Sequence, residues 1–419
     1  MNLPAKRVAG ATLLLTSLML SSAEIGAQQA PAAWNQWRGP ARDGVGDVRT
    51  LPAILPEQLT EVWRVPVGEG YSGPLVVDGT VYQFSREDDR EILRALSLAD
   101  GAEIWDESYG APFTVESAAR SHGPGPKSTP AYAAGRVFTL GISGVFSAVS
   151  AADGAVIWRH EFADDFPQAW PLWGASMSPI VIGDRVFAHV GGDAGGAMTA
   201  FDVASGEVVW ANDEFTPGYA SPIHLQIEGA DVLVTQSNEH IIAVNAADGT
   251  TLWSMPFATS SWQNAVTPLA VGGQVVFSGL DMGIFSVRIA PGTSSWAATE
   301  SWHNDLQPLY MSSPVLVGDR VFGFTHKRRG QFVCLDATTG EPIWTSRGRE
   351  GDNAIFVVLG DRVALLTDEG RLLIIDADAD AYEPLAEYEV ADTPTWTHPA
   401  FTAQGVLIKD LDTLALWSF

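Results

Sequence analysis

The chain has 419 residues, of which 46% are hydrophobic and 18% charged, a balance that supports a large folded core and excludes intrinsic disorder. Its 50 Asp and Glu outnumber 24 Lys and Arg, for a formal charge of −26, which disfavours a nucleic-acid role and polybasic docking on a membrane. The single cysteine, Cys334, excludes an intramolecular disulfide and any cysteine-built zinc or iron–sulfur cage.

In chain order, Lys6 and Arg7 lead into an apolar run from Val8 to Leu20, followed by the small residues Ser21, Ser22 and Ala23. This is the three-part pattern of a secretory signal, and the run falls short of the roughly 20 residues that span a bilayer. We read residues 1–23 as a signal peptide, with Ala27 as an alternative cut, residues 24–58 as an N-terminal extension, and 59–419 as one folded domain. No cysteine lies near either cut, so the expectation is a soluble periplasmic or secreted protein without a lipid anchor, and a monomer.

A repeat fills the domain. Asp, Ser, Pro or Thr, then Gly, then a tryptophan four residues on, recurs at Trp105, Trp158, Trp210, Trp253, Trp296 and Trp344. Trp63 is a seventh case, without its upstream half. A second landmark precedes each unit: a hydroxyl or small residue, proline, then glycine and a β-branched strand. Its prolines are Pro74, Pro130, Pro179, Pro222, Pro268, Pro314 and Pro399, with Phe356 in the remaining slot, spaced 42 to 56 residues apart. Apolar residues alternate with a period of two, so each unit reads as four strands rather than as a helical hairpin. In unit seven Pro384 is read into the tryptophan slot.

The last unit ends at Phe419 after three strands, and Thr60–Val65 is a fourth strand without a unit. Pairing them removes two open sheet edges. The expected fold is all-β: an eight-bladed β-propeller of four-stranded blades, closed by an N-terminal strand completing the last blade. The tryptophans Trp63, Trp105, Trp158, Trp210, Trp253, Trp296 and Trp344 are read as structural, docking one blade on the next.

The form Ala200-Phe-Asp202-Val-Ala-Ser-Gly206-Glu-Val-Val-Trp210 resembles the tryptophan-docking motif of quinoprotein alcohol dehydrogenases and of the wider pyrroloquinoline quinone (PQQ) repeat propellers. More distantly, it is similar to the propeller lipoprotein of the outer-membrane β-barrel assembly machine. The opening Trp34-Asn-Gln-Trp37-Arg38-Gly39-Pro40-x-x-Asp43-Gly44 is similar to the start of exported PQQ-like repeat proteins. The resemblance covers about residues 34–419 and implies the propeller. For a dehydrogenase it would also imply PQQ, an adjacent cysteine pair and calcium held by a Glu/Asn/Asp set. This chain has one cysteine, and no such calcium set can be placed.

No His-Glu-x-x-His, Gly-x-Ser-x-Gly, phosphate loop or Cys-x-x-Cys is present. Asp376, Asp378, Asp380 and Glu387 have calcium-loop spacing, but Ala381 replaces the required glycine and strands flank the segment, so a hairpin is the better reading and no metal site is assigned. Gly191 to Gly196 is likewise a hairpin, and His326 to Arg329 a basic hairpin tip in solvent, with a polyanion contact as the other reading. Function is expected where the connections are long, at 107–129 and 163–178, on the face carrying all fourth-to-first-strand loops. Those loops offer His122, Lys127, Trp173, Tyr219, Trp262, Gln263, Asn264, Tyr310, Trp396 and His398, together with Tyr71, around the channel mouth. Such a ring suits stacking on a flat or sugar-like ligand or a peptide; alternatively it only roofs the channel.

The leading expectation is therefore a non-enzymatic binding or scaffold propeller with no catalytic residue, acting on a protein or a small-molecule or sugar ligand through this face. The alternatives are a PQQ-binding oxidoreductase, with Lys127 and His122 on the cofactor carboxylates, and a carbohydrate-binding propeller.

Overall fold

The computed structural model describes residues 34–419 apart from Ser294 and the side chain of Ser261. The signal read at residues 1–23 lies outside the described residues. Among the described residues no helix is long and apolar enough to cross a membrane.

Eight antiparallel four-stranded sheets follow one another, at residues 75–110, 131–160, 180–212, 223–256, 269–304, 315–345, 354–389 and 400–418. We call these blades 1 to 8. The strand Thr60–Pro66 completes blade 8 by pairing antiparallel to Thr413–Ser418, with Trp63 opposite Leu416. The ring closes as expected, and the strand edge at the end of the chain is covered.

The two sequence landmarks have distinct physical jobs. At four junctions the hydroxyl before the proline accepts a backbone N–H from the blade before it: Gly73 to Thr129 Oγ1, Thr129 to Ser178 Oγ and Ser178 to Ser221 Oγ, each at 2.9 Å, and Thr267 to Ser313 Oγ at 3.0 Å. These bonds tie neighbouring innermost strands together. The tryptophans tie the outer part. Trp63, Trp105, Trp158, Trp210 and Trp344 each donate Nε1–H to a carbonyl of the next blade, at Leu98, Ala151, Val203, Ala246 and Ala379, over 2.9 to 3.2 Å. The indoles of Trp63, Trp105, Trp158 and Trp210 lie on the next blade's turn glycine. At Gly206, which has φ +75°, a Cβ would sit 2.7 Å from the Trp158 ring, so only glycine satisfies both the turn and the contact.

Two assignments need correction. In blade 5 the docking residue is Trp302, not Trp296. Trp302 faces Ser286 across the sheet, is 7% exposed, and donates to Ala337 O at 3.0 Å. The last hairpin of this blade is longer, so the glycine-spaced Trp296 ends up opposite Pro291 at the hairpin end. In blade 7 the slot opposite Ile374 belongs to Ala386; Pro384 lies beyond the bulge, opposite Ile375. Trp253 is opposite Ala243, as its spacing predicts, and packs against the core between blades 4 and 5.

Residues 34–51 pack into the ring. Trp34 forms a bridge to Val76 of blade 1 and Val45 one to Val358 of blade 7. Between them Arg42 donates to Ser178 O at 3.0 Å, Pro179 O at 2.9 Å and Pro222 O at 2.8 Å, while Arg38 donates to Pro314 O. The segment thus crosses the channel and satisfies inward-facing carbonyls of blades 3, 4 and 6. Gly44 permits this: at φ +81° its Cβ would meet Val315 Cγ1 at 2.7 Å.

Candidate functional site

One cavity of about 240 Å³ opens where the fourth-to-first-strand loops converge, above the Trp34–Gly46 plug. Its construction follows one rule. The residue three positions before the landmark proline, or before Phe356, lines it in every blade. Sequence reasoning finds four of these, Tyr71, Lys127, Tyr219 and Trp396. It misses Ser176, Ala265, Met311 and Asn353, which attract no notice as residue types but occupy the same register. The register alone identifies all eight.

Of the ten residues proposed for the mouth, the structure brings seven together: His122, Lys127, Trp173, Tyr219, Gln263, Tyr310 and Trp396. The other three do not line the cavity. Trp262 sits at the end of a 3₁₀ turn with φ +53° and is 45% exposed. Asn264 is fully buried and structural: its Nδ2 donates to Ser237 O at 2.9 Å and Phe257 O at 2.6 Å, and its carbonyl accepts from Tyr219 and Ala220. His398 is buried below the mouth against Trp34 and Trp37, with ring centroids at 5.6 and 5.3 Å. Each lies one or two residues from a lining position without itself facing the cavity. The floor includes Trp37, whose Nε1 donates to Thr267 Oγ1 at 3.0 Å. The sequence singles out the segment carrying Trp37 but not its place in the site.

One wall is an aromatic cluster. The rings of His122 and Trp396 meet edge to face at 4.6 Å, with Tyr71 6.1 Å from His122 and 6.5 Å from Trp396. Across the cavity Tyr310 donates its hydroxyl to Gln263 Oε1 at 2.5 Å, and the Tyr219 hydroxyl accepts from Trp173 N. Burial raises the phenols, that of Tyr71 to about 12, so all remain protonated near neutral pH. Lys127 donates Nζ to Trp173 O at 2.8 Å, and burial lowers its ammonium to about 8. Burial, helped by Lys127, lowers His122 below the usual imidazole range, so it is neutral at pH 7. The mouth therefore presents flat apolar faces, amide and hydroxyl groups, and one amine.

The calcium set and cysteine pair that the resemblance implies beside a quinone do not occur around this mouth. No carboxylate lines the cavity, and no cluster of three His, Cys, Asp or Glu suited to a metal occurs among the described residues. Cys334 is buried inside blade 6, opposite Trp344. The calcium-like run is a turn, with Asp376 accepting from Asp378 N and Asp380 paired to Arg320 at 2.9 Å.

The family model described as outer membrane protein assembly factor BamB matches residues 88–346 and 299–381. A BamB of Yersinia pestis is 26% identical over 267 residues, 62% of this chain and 60% of that protein, so less than two thirds of that relative is spanned. Among solved structures, BamB from Moraxella catarrhalis aligns with a TM-score of 0.62 at 15% identity, over 86% of this chain and 98% of that one. The quinohemoprotein alcohol dehydrogenase ADHIIG from Pseudomonas putida HK5 also gives 0.62, at 14% identity, over 92% of this chain and 80% of that one. These structural likenesses establish the propeller. The sequence match goes further, and the chain belongs to the outer membrane protein assembly factor BamB family.

Proposed function

We propose that this protein is an exported, non-enzymatic scaffold propeller that engages a protein partner in outer-membrane protein assembly, through the long-loop face around the plugged channel. The observation that carries this reading is the composition of the mouth. Every blade contributes at least one residue, the surface is mostly aromatic and amide, no carboxylate lines it, and no metal cluster occurs among the described residues. Such a surface stacks on and hydrogen-bonds to a partner without supplying a reaction. The floor supports the same reading, because Arg38 and Arg42 anchor the plug across the channel to carbonyls at the starts of the innermost strands, giving the mouth a fixed base. The relatives' name supports the process, and the signal read in the sequence at residues 1–23 supports export, with the periplasm as the compartment.

The test is capture from solubilised bacterial envelope by the immobilised mature chain and by a Trp396→Ala, Tyr310→Ala double variant. Both aromatics are partly exposed, so the variant should fold. Loss of an outer-membrane assembly component from the variant eluate is the expected result. Equal capture by both chains would refute the assignment of the mouth.

A further inference from the structure

One surface feature runs against the acidity of the whole molecule. The hairpin tip Lys327–Arg329 and the loop that follows blade 6 lie side by side. Arg349 N donates to Arg328 O at 3.1 Å, and Glu350 N to Gly330 O at 3.2 Å. Together they expose Arg328, Arg329, Arg347 and Arg349. None of these four guanidinium groups enters an ion pair or a side-chain hydrogen bond among the described residues. Asp352 of the same loop is exposed, but three other carboxylates nearby are engaged elsewhere. Asp281 holds Lys327 at 2.7 Å and His326 at 3.2 Å, Glu350 faces Arg371 at 3.8 Å, and Asp368 accepts Asp352 N and Asn353 N.

The backbone makes the arrangement more unusual. Arg328, Arg329 and Arg349 have φ of +54°, +65° and +70°, a region that disfavours residues with a Cβ and that glycine would occupy without strain. Three strained positions in two touching loops all carry the same long cationic side chain. Strain retained at an exposed tip, where no packing requires arginine, points to use of the side chain itself.

The patch is continuous with the mouth. His326 contacts Tyr310 with ring centroids at 6.0 Å, and Asn353, at the end of the same loop, lines the cavity. We propose that these four arginines bind a short acidic segment of the partner protein, whose apolar side chains occupy the adjoining aromatic mouth. The inference rests on the reading of this face as the binding surface and names the chemistry of what it binds. A guanidinium fork pairs two-point with a carboxylate. An extended polyanion is disfavoured, because it would run from four positive groups onto a surface whose net charge is −26.

The experiment uses the full mature chain and a fluorescein-labelled tetra-glutamate peptide, short enough to match the four arginines, read by anisotropy, with tetra-glutamine as control. Wild type should bind the acidic peptide saturably and lose most of that affinity between about 20 mM and about 150 mM salt. The variant Arg328→Gly, Arg349→Gly should bind at least about tenfold more weakly. Its Tm should stay level or rise, because glycine relieves the backbone. No binding at low salt, or equal binding by the variant, would overturn the proposal. So would tighter binding of phosphatidylglycerol vesicles or inorganic polyphosphate than of the peptide. The two readings fail separately. If Trp396→Ala, Tyr310→Ala abolishes envelope capture while the glycine variant retains it, the face stands and the arginine patch falls. If neither affects capture, the face itself is wrong.

Discussion

Arg42 offers a direct test of the plug that floors the candidate site. It is 2% exposed, and its guanidinium reaches Ser178 O, Pro179 O and Pro222 O within 3.0 Å, with Gln36 Oε1 at 3.2 Å. Hydrogen bonds from a charged donor contribute about 1.5–3 kcal/mol each, so the three to carbonyls contribute roughly 5–9 kcal/mol. Against this, burial and the neighbouring Arg38 lower the guanidinium to about 9. That shift corresponds to roughly 5 kcal/mol of desolvation and repulsion. The balance favours the native residue by roughly 0–4 kcal/mol, centred near 2. Arg42→Ala, which lets water reach the carbonyls, should cost about that much. Arg42→Met fills the space and keeps water out, leaving the carbonyls unpaired at about 1–3 kcal/mol each, so it should be no better than Ala and should be worse if the site stays dry. Guanidinium unfolding followed by circular dichroism measures both. A Met variant as stable as wild type would show that the arginine does not hold the plug to the blades.

Other consequences concern the blades and the buried histidines. Trp302→Ala should cost about 3–5 kcal/mol, by cavity formation and loss of the bond to Ala337 O, whereas Trp296→Ala should change stability by under about 1 kcal/mol. Equal effects in thermal unfolding would reject the corrected slot. Gly206→Ala should cost about 2–4 kcal/mol, from a left-handed backbone and a clash with Trp158, and chemical denaturation reads it directly. His398 is held neutral by burial and by Arg38, down to about 3, and His189 by burial down to about 4. The unfolded chain takes up these protons near 6.5 while the native state does not. Stability is therefore full above pH 6.5 and falls as pH drops towards 4, by up to roughly 3 kcal/mol for each histidine. A His398→Gln variant should lose part of that slope in unfolding free energy between pH 6.5 and 4; an unchanged slope would remove His398 from the account.

What was legible in the sequence was whatever repeats. Proline and the residue before it recur because each innermost strand must be tied to its neighbour. Gly and Trp recur because each turn must accept an indole. Trp296 shows the limit of that reading: spacing to glycine predicts the slot only while the hairpin keeps its usual length, and the blade 5 hairpin does not. The candidate site was legible by residue type, not by position. Aromatics near the mouth were noticed, so Trp262 and His398 were included although they point away, and Ser176 or Asn353 was overlooked although each lines the cavity. The plug was invisible for another reason. A motif containing Arg38 and Arg42 carries no sign of burial in the sequence, and only the inward carbonyls of Ser178, Pro179, Pro222 and Pro314 make a buried guanidinium sensible.

The two landmarks also explain why a fold this plain in the sequence reveals so little about its work. The docking tryptophan and turn glycine act in the outer strands, between blades. The position three residues before the proline faces the mouth and takes no part in that docking. A propeller can thus exchange Tyr71, Lys127 or Trp396 without disturbing any tryptophan contact, and can keep every tryptophan contact while its mouth takes on different chemistry. A TM-score of 0.62 to both a BamB and an alcohol dehydrogenase is the expected result of that separation. The informative comparison between such proteins is the set of eight mouth residues, blade by blade, because those residues line the cavity.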